Sequence, residues 1–228
     1  MAFVKGRAQR PCSFISGTNG AENMQPCKTQ KSEKTKTKIL QTAVMLFSKS
    51  GFHGTKVDAI AAKANVNKER IYAYFGSKKA LFENALAEVY AESAEYDMEL
   101  LSLTSKDIPG ITGKIVSHYM ESYHRRPEFW RMISWANLEF SSLPPCIGKL
   151  KAKSLEHLKN IFLAGQRLGA FNKKLSFEAY IYGLWALTFF YHSNQKTLQE
   201  SLSPELFEQG FESGPLAGLP ELFQTKNH

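Results

Sequence analysis

Hydrophobic residues recur at helical spacing from about residue 35 onward, and the first stripe predicts a helix that stops at Gly51. Its apolar positions are Ile39, Leu40, Ala43, Leu46 and Phe47. Two short segments follow, each with a polar residue that can cap its start. Thr55 precedes a segment with one apolar face, and Asn67 precedes the segment 68–75. No strand alternation is present in this part of the sequence, so the pattern predicts helices.

The connections between these segments are short. Asn65 can turn the chain through a left-handed conformation, and Ser77 can cap a longer helix after Gly76. That longer helix has an apolar stripe made of Leu81, Phe82, Ala85, Leu86 and Val89. Two short helices joined by a tight turn form a motif in which the first helix braces the second. The spacing therefore predicts a helix-turn-helix over residues 55–75.

Beyond residue 90 the pattern stays helical, with prolines and glycines between the segments. The predicted helices cover residues 111–125, 128–140, 145–168 and 177–191, with a weaker prediction near 204–211. The segment 177–191 is apolar on nearly all sides, which indicates burial between neighbouring helices or against a second subunit. At this length it is shorter than the roughly 18–20 residues that a membrane span needs. The sequence thus predicts an all-α fold.

Charge is unevenly distributed along the chain. Residues 1–38 carry 8 basic and 2 acidic side chains, residues 39–84 carry 7 and 3, and residues 85–228 carry 14 and 16. A basic N-terminal third joined to a near-neutral body indicates a polyanionic partner for the first part. Residues 1–34 lack an apolar period, so we expect a disordered basic arm. Met24 is an alternative start, and the sequence leaves open whether residues 1–23 belong to the native protein.

The sequence contains few signs of catalysis, metal binding or secretion. Three scattered cysteines give neither a disulfide framework nor a metal site, and the six histidines lack metal-ligand spacing. Neither a phosphate-binding glycine loop nor a GxSxG elbow is present. The N-terminus lacks the apolar run of a signal peptide. We therefore expect a cytoplasmic protein that is not an enzyme, has no cofactor or metal and does not associate with a membrane.

The segment 68–75 divides into an apolar side and a polar side. Ile71 and Phe75 face inward, whereas the outward residues near the helix start are Lys68, Glu69, Arg70 and Tyr72. Lysine and arginine can hydrogen-bond to guanine, and a carboxylate can accept from cytosine. Phosphates instead bind hydroxyls, cations and the N–H groups at helix starts. We expect that role for Thr55, Lys56, Tyr74 and Lys78. Asn67, which caps the helix 68–75, completes the predicted set of DNA-binding residues.

At these positions the sequence resembles a known family. The run Gly51-Phe52-His53-Gly54-Thr55-Lys56-Val57-Asp58-Ala59-Ile60-Ala61, then Ala64-Asn65-Val66-Asn67, then Ile71-Tyr72-Ala73-Tyr74-Phe75-Gly76-Ser77-Lys78-Lys79-Ala80-Leu81, is similar to the N-terminal domain of TetR-type (TetR/AcrR) transcriptional repressors. The resemblance covers residues 36–88. It implies that Tyr74 and Lys78 grip phosphates and that residues 68–70 and Tyr72 approach bases. Two departures are Asn65, where the family commonly has glycine, and the negative charge of Glu69.

The resemblance also implies a domain organisation. Residues 35–84 would form a three-helix, helix-turn-helix DNA-binding domain, and residues 85–228 a helical domain for effector binding and dimerisation. Aromatic residues are dense between 118 and 191, and an aromatic-lined cavity can hold a small effector. We nominate Tyr123, Trp130 and Trp135 for that site. We expect a homodimer held by the helices 177–191 and 145–168, as two-fold operator reading requires.

The predicted function is repression from a palindromic operator, with release by an unidentified small-molecule effector. The effector would tilt the helix that begins at Ser77 and change the spacing of the two reading heads. A non-specific nucleic-acid-binding protein is one alternative, since the basic arm alone would satisfy it, and a helical enzyme is another. An activator with the same reading head also stays open. Three of these residues also have purely structural interpretations. Tyr72 can pack under the first helix, and Lys56 and Lys78 can be solvated surface charges.

Overall fold

The computed structural model describes residues 26–144, 147–208, 210–214 and 216–223, and no strand occurs among them. The predicted all-α fold is confirmed. The helices in chain order are α1 Pro26–Gly54, α2 Val57–Ala64, α3 Lys68–Phe75, α4 Lys78–Tyr96, α5 Ile111–Arg125, α6 Pro127–Glu139, α7 Ile147–Leu150, α8 Ala152–Arg167, α9 Phe177–Ser193, α10 Gln195–Ser201, α11 Glu205–Glu208 and α12 Gly210–Ser213. Short 3₁₀ segments lie at Asp97–Ser102, Ser105–Gly110 and Leu219–Phe223.

The chain forms two compact units. Of the described residues, the first unit contains those up to Ala91 and those within Trp135–Leu150, and the second contains Glu92–Ser134 and those from Lys151 onward. The boundaries between the units therefore fall inside α4, inside α6 and between α7 and α8. The family resemblance implies a division after residue 84, and nothing in the sequence indicates that the described residues of Trp135–Leu150 cluster with the N-terminal unit.

Helix α1 starts earlier than the pattern predicted. It begins at Pro26, so residues 26–34 are helical where the sequence led us to expect a disordered arm. The physical reason is that extending an existing helix adds one hydrogen bond per residue, without the cost of a new nucleus. Residues 1–25 of the predicted arm lie outside the described residues.

The core of the first unit consists of the predicted apolar positions. Ile39, Ala43 and Phe47 of α1 are fully buried, as are Leu81 and Phe82 of α4. Aromatic rings pack edge to face within this core, with 5.0 Å between the ring centroids of Phe47 and Phe82. Such pairs stabilise a core beyond the area that they bury. The apolar stripe of α1 therefore holds the short helices that follow it.

A break in α1 brings its last turn against residues of α6. Gly51 has φ 71° and ψ −178°, a conformation that interrupts the helix where the sequence predicted a stop. The Glu139 carboxylate accepts a hydrogen bond from the Phe52 N–H at 2.6 Å. The Trp135 indole N–H donates to the Ser48 carbonyl at 3.3 Å. These contacts belong to the first unit and fix the end of α1 before α2 begins.

The second unit has an aromatic core between α5, α8 and α9. Tyr119 and Tyr180 are among its largest fully buried side chains, and the Tyr180 hydroxyl lies 3.0 Å from the Thr112 hydroxyl. The predicted helix 111–125 is confirmed, and the predicted helices 128–140 and 177–191 correspond to α6 and α9. Among the described residues, no helix is both long and apolar enough to cross a bilayer.

One predicted helix is interrupted. The sequence predicted a single helix over 145–168, but Lys151 separates α7 from α8, and residues 145–146 lie outside the described residues. The Lys151 ammonium is 2.7 Å from a carboxylate oxygen of the fully buried Asp97 and 2.9 Å from the Ser93 hydroxyl. Asp97 also bonds with the His118 ring at 3.1 Å. A buried carboxylate needs such partners, and the break in the helix supplies the ammonium.

Candidate nucleic-acid interface

The turn between α2 and α3 is set by two asparagines. Asn65 ends α2 in the left-handed region, with φ 53° and ψ 52°, as the sequence predicted. Its N–H bonds back to carbonyls of α2, which closes the turn. The Asn67 side chain accepts a hydrogen bond from the Arg70 N–H at 3.0 Å and so caps α3. Two residues in unlike backbone conformations thus fix the angle between two short helices.

Helix α3 is buried on one side only. Ile71 and Phe75 pack inward, whereas Glu69, Arg70 and Tyr72 are exposed, Tyr72 by 39%. A two-turn helix with one buried stripe leaves its other side free for a partner. The exposed groups offer a carboxylate, a guanidinium and a phenol, which can each hydrogen-bond to a base edge. The predicted division of α3 into packing and outward residues is therefore present in the structure.

Lys68 is less free than its neighbours. Its ammonium lies 2.9 Å from one oxygen and 3.1 Å from the other oxygen of the Asp58 carboxylate on α2. This hydrogen bond with Asp58 raises the pKa of Lys68. The Lys68 ammonium stays charged and forms an ion pair with Asp58. The pattern of outward residues in the sequence does not predict this ion pair.

Three further predicted residues lie around α3. Lys56 is exposed at the start of α2, where the first N–H groups of a helix have no partner within it. The Tyr74 hydroxyl is 3.0 Å from the Ser32 hydroxyl on α1, and either group can be the donor. The Lys78 ammonium lies 4.5 Å from the centroid of the Phe52 ring. The Tyr74 hydroxyl and the Lys78 ammonium are thus each held by a neighbour at the edge of α3.

Thr55 requires a correction. It does not cap α2, because Lys56 occupies the N-cap position without a side-chain hydrogen bond. Only 3% of Thr55 is exposed, and its hydroxyl donates to the carbonyls of Leu46 at 3.1 Å and Gly51 at 2.8 Å. Carbonyls at the end of a helix lack partners within it, so the Thr55 hydroxyl is committed to the end of α1. It is not available at the surface for a phosphate.

The structure does not bring the three predicted effector residues together. Tyr123 is buried in the second unit, where its ring stacks on Phe129 with 6.1 Å between centroids. Trp130, in the same unit, is half-buried, with the Arg131 guanidinium 5.1 Å from its ring. Trp135 belongs to the first unit, with its indole N–H on Ser48. Five residues along a helix correspond to a rotation of about 140°, so the two tryptophans do not share a face of α6.

Two polar atoms near Tyr123 have no hydrogen-bond partner in the part of the chain that the structure describes. They are the Tyr119 hydroxyl and Nε2 of His192, both buried. The Tyr123 ring lies 6.4 Å from that of Tyr119 and 5.7 Å from that of His192, between centroids. Burial raises the pKa of Tyr119 well above its ordinary value, an increase that the side chain of Trp185 opposes from beyond good hydrogen-bond geometry. Burial lowers the pKa of His192, a decrease that a hydrogen bond with the Met120 backbone opposes. Sequence reasoning missed both, because one more tyrosine and one isolated histidine carry no spacing signal.

Exposed apolar side chains follow one side of α9. Tyr182 is 72% exposed and Phe190 is 54% exposed, and the two are separated by two helical turns. Leu163 of α8 is also exposed. The opposite side of α9 is buried through Tyr180, Leu184 and other residues. The helix is therefore apolar on both sides but packed on only one.

Two family models match the chain. "Bacterial regulatory proteins, tetR family" matches residues 39–85, and "Tetracyclin repressor-like, C-terminal domain" matches residues 113–214. The HTH-type transcriptional repressor NicS of Pseudomonas putida is 31% identical over 80% of this chain and 87% of its own length. The HTH-type transcriptional repressor SCO4008 of Streptomyces coelicolor is 32% identical over 48% of this chain and 53% of its own.

Solved structures agree with the fold. The putative transcriptional regulator SCO4942 of Streptomyces coelicolor is 25% identical and covers 75% of this chain and 88% of its own, with a TM-score of 0.55. The hemolysin II transcriptional regulator HlyIIR is 18% identical and covers 86% of this chain and 99% of its own, with a TM-score of 0.58. This likeness shows the fold alone. Together with the tight turn and the exposed side of α3, these matches establish that the chain belongs to the TetR family of transcriptional regulators.

Proposed function

We propose that the chain represses transcription by inserting α3 into the major groove of a palindromic operator, with Arg70, Glu69 and Tyr72 at the base edges. The observation that carries this proposal is the division of α3, whose apolar residues pack inward while these three stay exposed. Recognition helices of this motif contact bases with residues near their N-terminus. An arginine that bonds guanine in two places contributes about 1–3 kcal/mol of discrimination against a wrong base.

Lys56, Asn67, Lys68, Tyr74 and Lys78 would position the protein on the backbone. Phosphate contacts fix register and orientation but carry no sequence information. If the Ser32 hydroxyl donates to the Tyr74 oxygen, the Tyr74 proton is left for a phosphate. The Phe52 ring holds the Lys78 ammonium beside the start of α4.

Selection of bound sequences from a random DNA pool tests sequence-specific repression. A repressor of this kind recovers an inverted repeat and keeps binding it in a large excess of random DNA. Recovery of no shared motif would instead support the alternative of a non-specific binder. A promoter fusion that carries the recovered site then separates repression from activation.

The exposed side of α9 supports a homodimer. A two-fold dimer presents the same patch twice, and Tyr182 and Phe190 would then be covered by their own copies or by Leu163. Tyr182→Glu with Phe190→Glu should give a monomer mass in light scattering. Leu222→Glu, which also changes a strongly exposed apolar residue, is the control and should stay dimeric. A wild-type protein of monomer mass at micromolar concentration would exclude the dimer.

We also propose that a small aromatic effector binds beside Tyr123 and releases the operator. The unpartnered Tyr119 hydroxyl can donate or accept, and neutral His192 can accept at Nε2, so the effector would carry a hydrogen-bond donor and an acceptor. Trp130 stays a candidate in the same unit. Trp135 is not part of the proposed effector site, because its indole N–H donates to the Ser48 carbonyl within the first unit. Helix α4 contains residues of both units, and a tilt of α4 on effector binding would change the spacing of the reading heads.

Tyr119→Phe tests this effector site. Removal of a buried hydroxyl that lacks a partner should raise the free energy of unfolding, since such a group costs about 1–3 kcal/mol. The same change should abolish the stabilisation that small aromatic compounds give to wild type in a thermal-shift screen. A lower melting temperature would show that the hydroxyl has a structural partner and would exclude the site. By the same proposal the chain acts in the cytoplasm, where its operator lies, and has no catalytic activity.

A further inference from the structure

The last turn of α6 packs along the last turn of α1. Trp135 and Glu139 are four residues apart and so lie on one face of α6. They hydrogen-bond to Ser48 and Phe52, which are also four residues apart. Gly51 lies between these two contacts, and a Cβ there would collide with both α6 side chains. All of these residues belong to the first unit, although α6 lies outside the segment that matches the N-terminal family model.

Glu139 binds the backbone of α1 and not a cation. Its carboxylate accepts from the Phe52 N–H at 2.6 Å and, more weakly, from the His53 N–H at 3.4 Å. Among the described residues, no ion pair involves this carboxylate. A hydrogen bond to an ionised acceptor is roughly twice as strong as one between neutral groups. Glu139 therefore fixes the backbone of Phe52 just after the break in α1.

The Phe52 ring is held by the residue that follows Glu139. It packs edge to face on Phe140 with 5.1 Å between ring centroids, and on Phe82 with 5.7 Å. Phe140 also stacks on the buried Phe82 at 4.9 Å. Two consecutive residues at the end of α6 thus hold both the backbone and the ring of Phe52.

The Phe52 ring in turn holds Lys78, the first residue of α4. The Lys78 ammonium lies 4.5 Å from the ring centroid, and the side chain is half-exposed. A lysine side chain is long and flexible, so a cation–π contact with a fixed ring restricts where its charge lies. In the part of the chain that the structure describes, no carboxylate pairs with this ammonium. Its charge is therefore available to a phosphate.

We propose that Glu139 is a positioning residue for DNA binding, which acts through Phe52 to hold the Lys78 ammonium where a DNA phosphate binds. The inference rests on the phosphate contact of Lys78 in the proposed function. A residue from the segment that matches the C-terminal family model then sets the strength of a DNA contact. Phosphate contacts carry no sequence information, so Glu139 affects the affinity for the operator and its salt dependence but not the base preference.

The test measures the dissociation constant of the full-length chain for the selected operator by fluorescence anisotropy at several salt concentrations. Each phosphate contact contributes about 0.9 to the slope of log affinity against log salt, and a dimer has two Lys78 side chains. Lys78→Ala should therefore lower the magnitude of the slope by about 2 and weaken binding about 10- to 100-fold at about 0.1 M salt. Glu139→Ala should lower the slope by about 1 to 2 and weaken binding about 5- to 50-fold.

The sign of the Glu139→Ala effect separates positioning from charge. Loss of an acidic side chain should by its charge alone strengthen DNA binding and make the slope steeper. Glu139→Gln removes the same charge but keeps an oxygen that can accept from the Phe52 N–H, so it should restore the wild-type slope. A Glu139→Ala slope as steep as wild type or steeper would overturn the proposal. A Glu139→Gln slope as flat as that of Glu139→Ala would overturn it too.

A double-mutant cycle tests whether Glu139 acts through Lys78. Glu139→Ala with Lys78→Ala should bind no more weakly than Lys78→Ala alone, and additive losses would contradict the proposal. Phe52→Leu keeps the backbone bond to Glu139 but removes the ring, so it should flatten the slope as Glu139→Ala does. It serves as the test if Glu139→Ala does not fold, and an unchanged slope in this variant would overturn the proposal.

The Lys78→Ala result distinguishes the two possible failures. A wild-type slope in Lys78→Ala would show that Lys78 does not bind a phosphate, which overturns that part of the proposed function and the role of Glu139 with it. A flattened slope in Lys78→Ala together with a wild-type slope in Glu139→Ala would overturn the positioning role alone.

Discussion

Gly51→Ala perturbs the point where α1 breaks and meets Trp135 and Glu139. Two effects add. The backbone conformation, φ 71° and ψ −178°, is essentially restricted to glycine and costs another residue about 1–3 kcal/mol. A Cβ at this position would lie 2.8 Å from both Cε3 of Trp135 and Oε1 of Glu139, which is closer than real contacts allow. Overpacking of this kind costs about 1–3 kcal/mol, so the expected loss is about 2–6 kcal/mol.

Thermal unfolding followed by far-ultraviolet circular dichroism measures this loss. For a chain of this length, 1 kcal/mol shifts the melting temperature by about 2–4 °C, so Gly51→Ala should melt about 5–20 °C below wild type. Two control substitutions separate the causes. Gly76 has φ 76° and ψ −51° but no atom near its would-be Cβ, so Gly76→Ala reports the cost of a strained positive-φ backbone alone, about 1–3 kcal/mol. Gly113 lies in α5 with open space, so Gly113→Ala should stabilise by about 0.5–1 kcal/mol.

The order of melting temperatures decides the outcome. We expect Gly113→Ala to melt above wild type. Gly76→Ala should melt below wild type, and Gly51→Ala should have the lowest melting temperature. Equal melting temperatures for Gly51→Ala and Gly76→Ala would show that the contacts with Trp135 and Glu139 are not made. A Gly51→Ala variant as stable as wild type would refute the backbone conformation as well.

Three further outcomes are expected. Asp58→Asn removes the partner of Lys68, so operator binding should become tighter and its salt dependence steeper in an anisotropy titration, whereas a flatter dependence would contradict the pairing. Lys151→Met leaves the buried Asp97 without its cation and should lower the unfolding free energy by about 3–5 kcal/mol in urea; an unchanged midpoint would count against the buried pair. Burial raises the pKa of Tyr180 from 10.0 to about 12. The contribution of the protonated Tyr180 to the free energy of unfolding is therefore complete below pH 10 and is lost as pH rises towards 12. Tyr180→Phe should flatten that alkaline decline in stability, and an equal decline in both proteins would disprove the shift.

The parts of the fold that depend on neighbours in sequence were predictable. The turn at Asn65, the cap by Asn67 and the inward pair Ile71 and Phe75 all follow from spacing within ten or so residues, and the structure confirms them. Local backbone preference and a local apolar stripe are enough to specify two short helices. The exposed side of α3 was therefore accessible to sequence reasoning.

The parts that depend on distant partners were not predictable in the same way. Threonine is a good N-cap residue, so the sequence predicts a cap at Thr55, but its hydroxyl donates to the carbonyls at the end of α1 instead. The pairing of Lys68 with Asp58 needs the angle between α2 and α3, which a pattern does not give. The separation of Trp135 from Trp130 was predictable from the sequence, because five residues along a helix put the two side chains on different faces.

The early start of α1 has a different explanation. Residues 26–34 contain no apolar stripe, and the sequence therefore favoured disorder. A helix that already exists from residue 35 can still extend through lysine, glutamine and glutamate, which are good helix formers. The bond between Ser32 and Tyr74 then gives the extension a tertiary contact that periodicity cannot register.

The most direct test of base reading by α3 is operator selection from one random DNA pool with wild type, Arg70→Ala and Lys78→Ala. Wild type should recover an inverted repeat, and Arg70→Ala should recover the same repeat with one relaxed position in each half-site. Lys78→Ala should recover the wild-type motif with weaker binding throughout, because phosphates carry no sequence information. An unchanged motif for Arg70→Ala, together with an altered one for Lys78→Ala, would contradict the assignment of these residues.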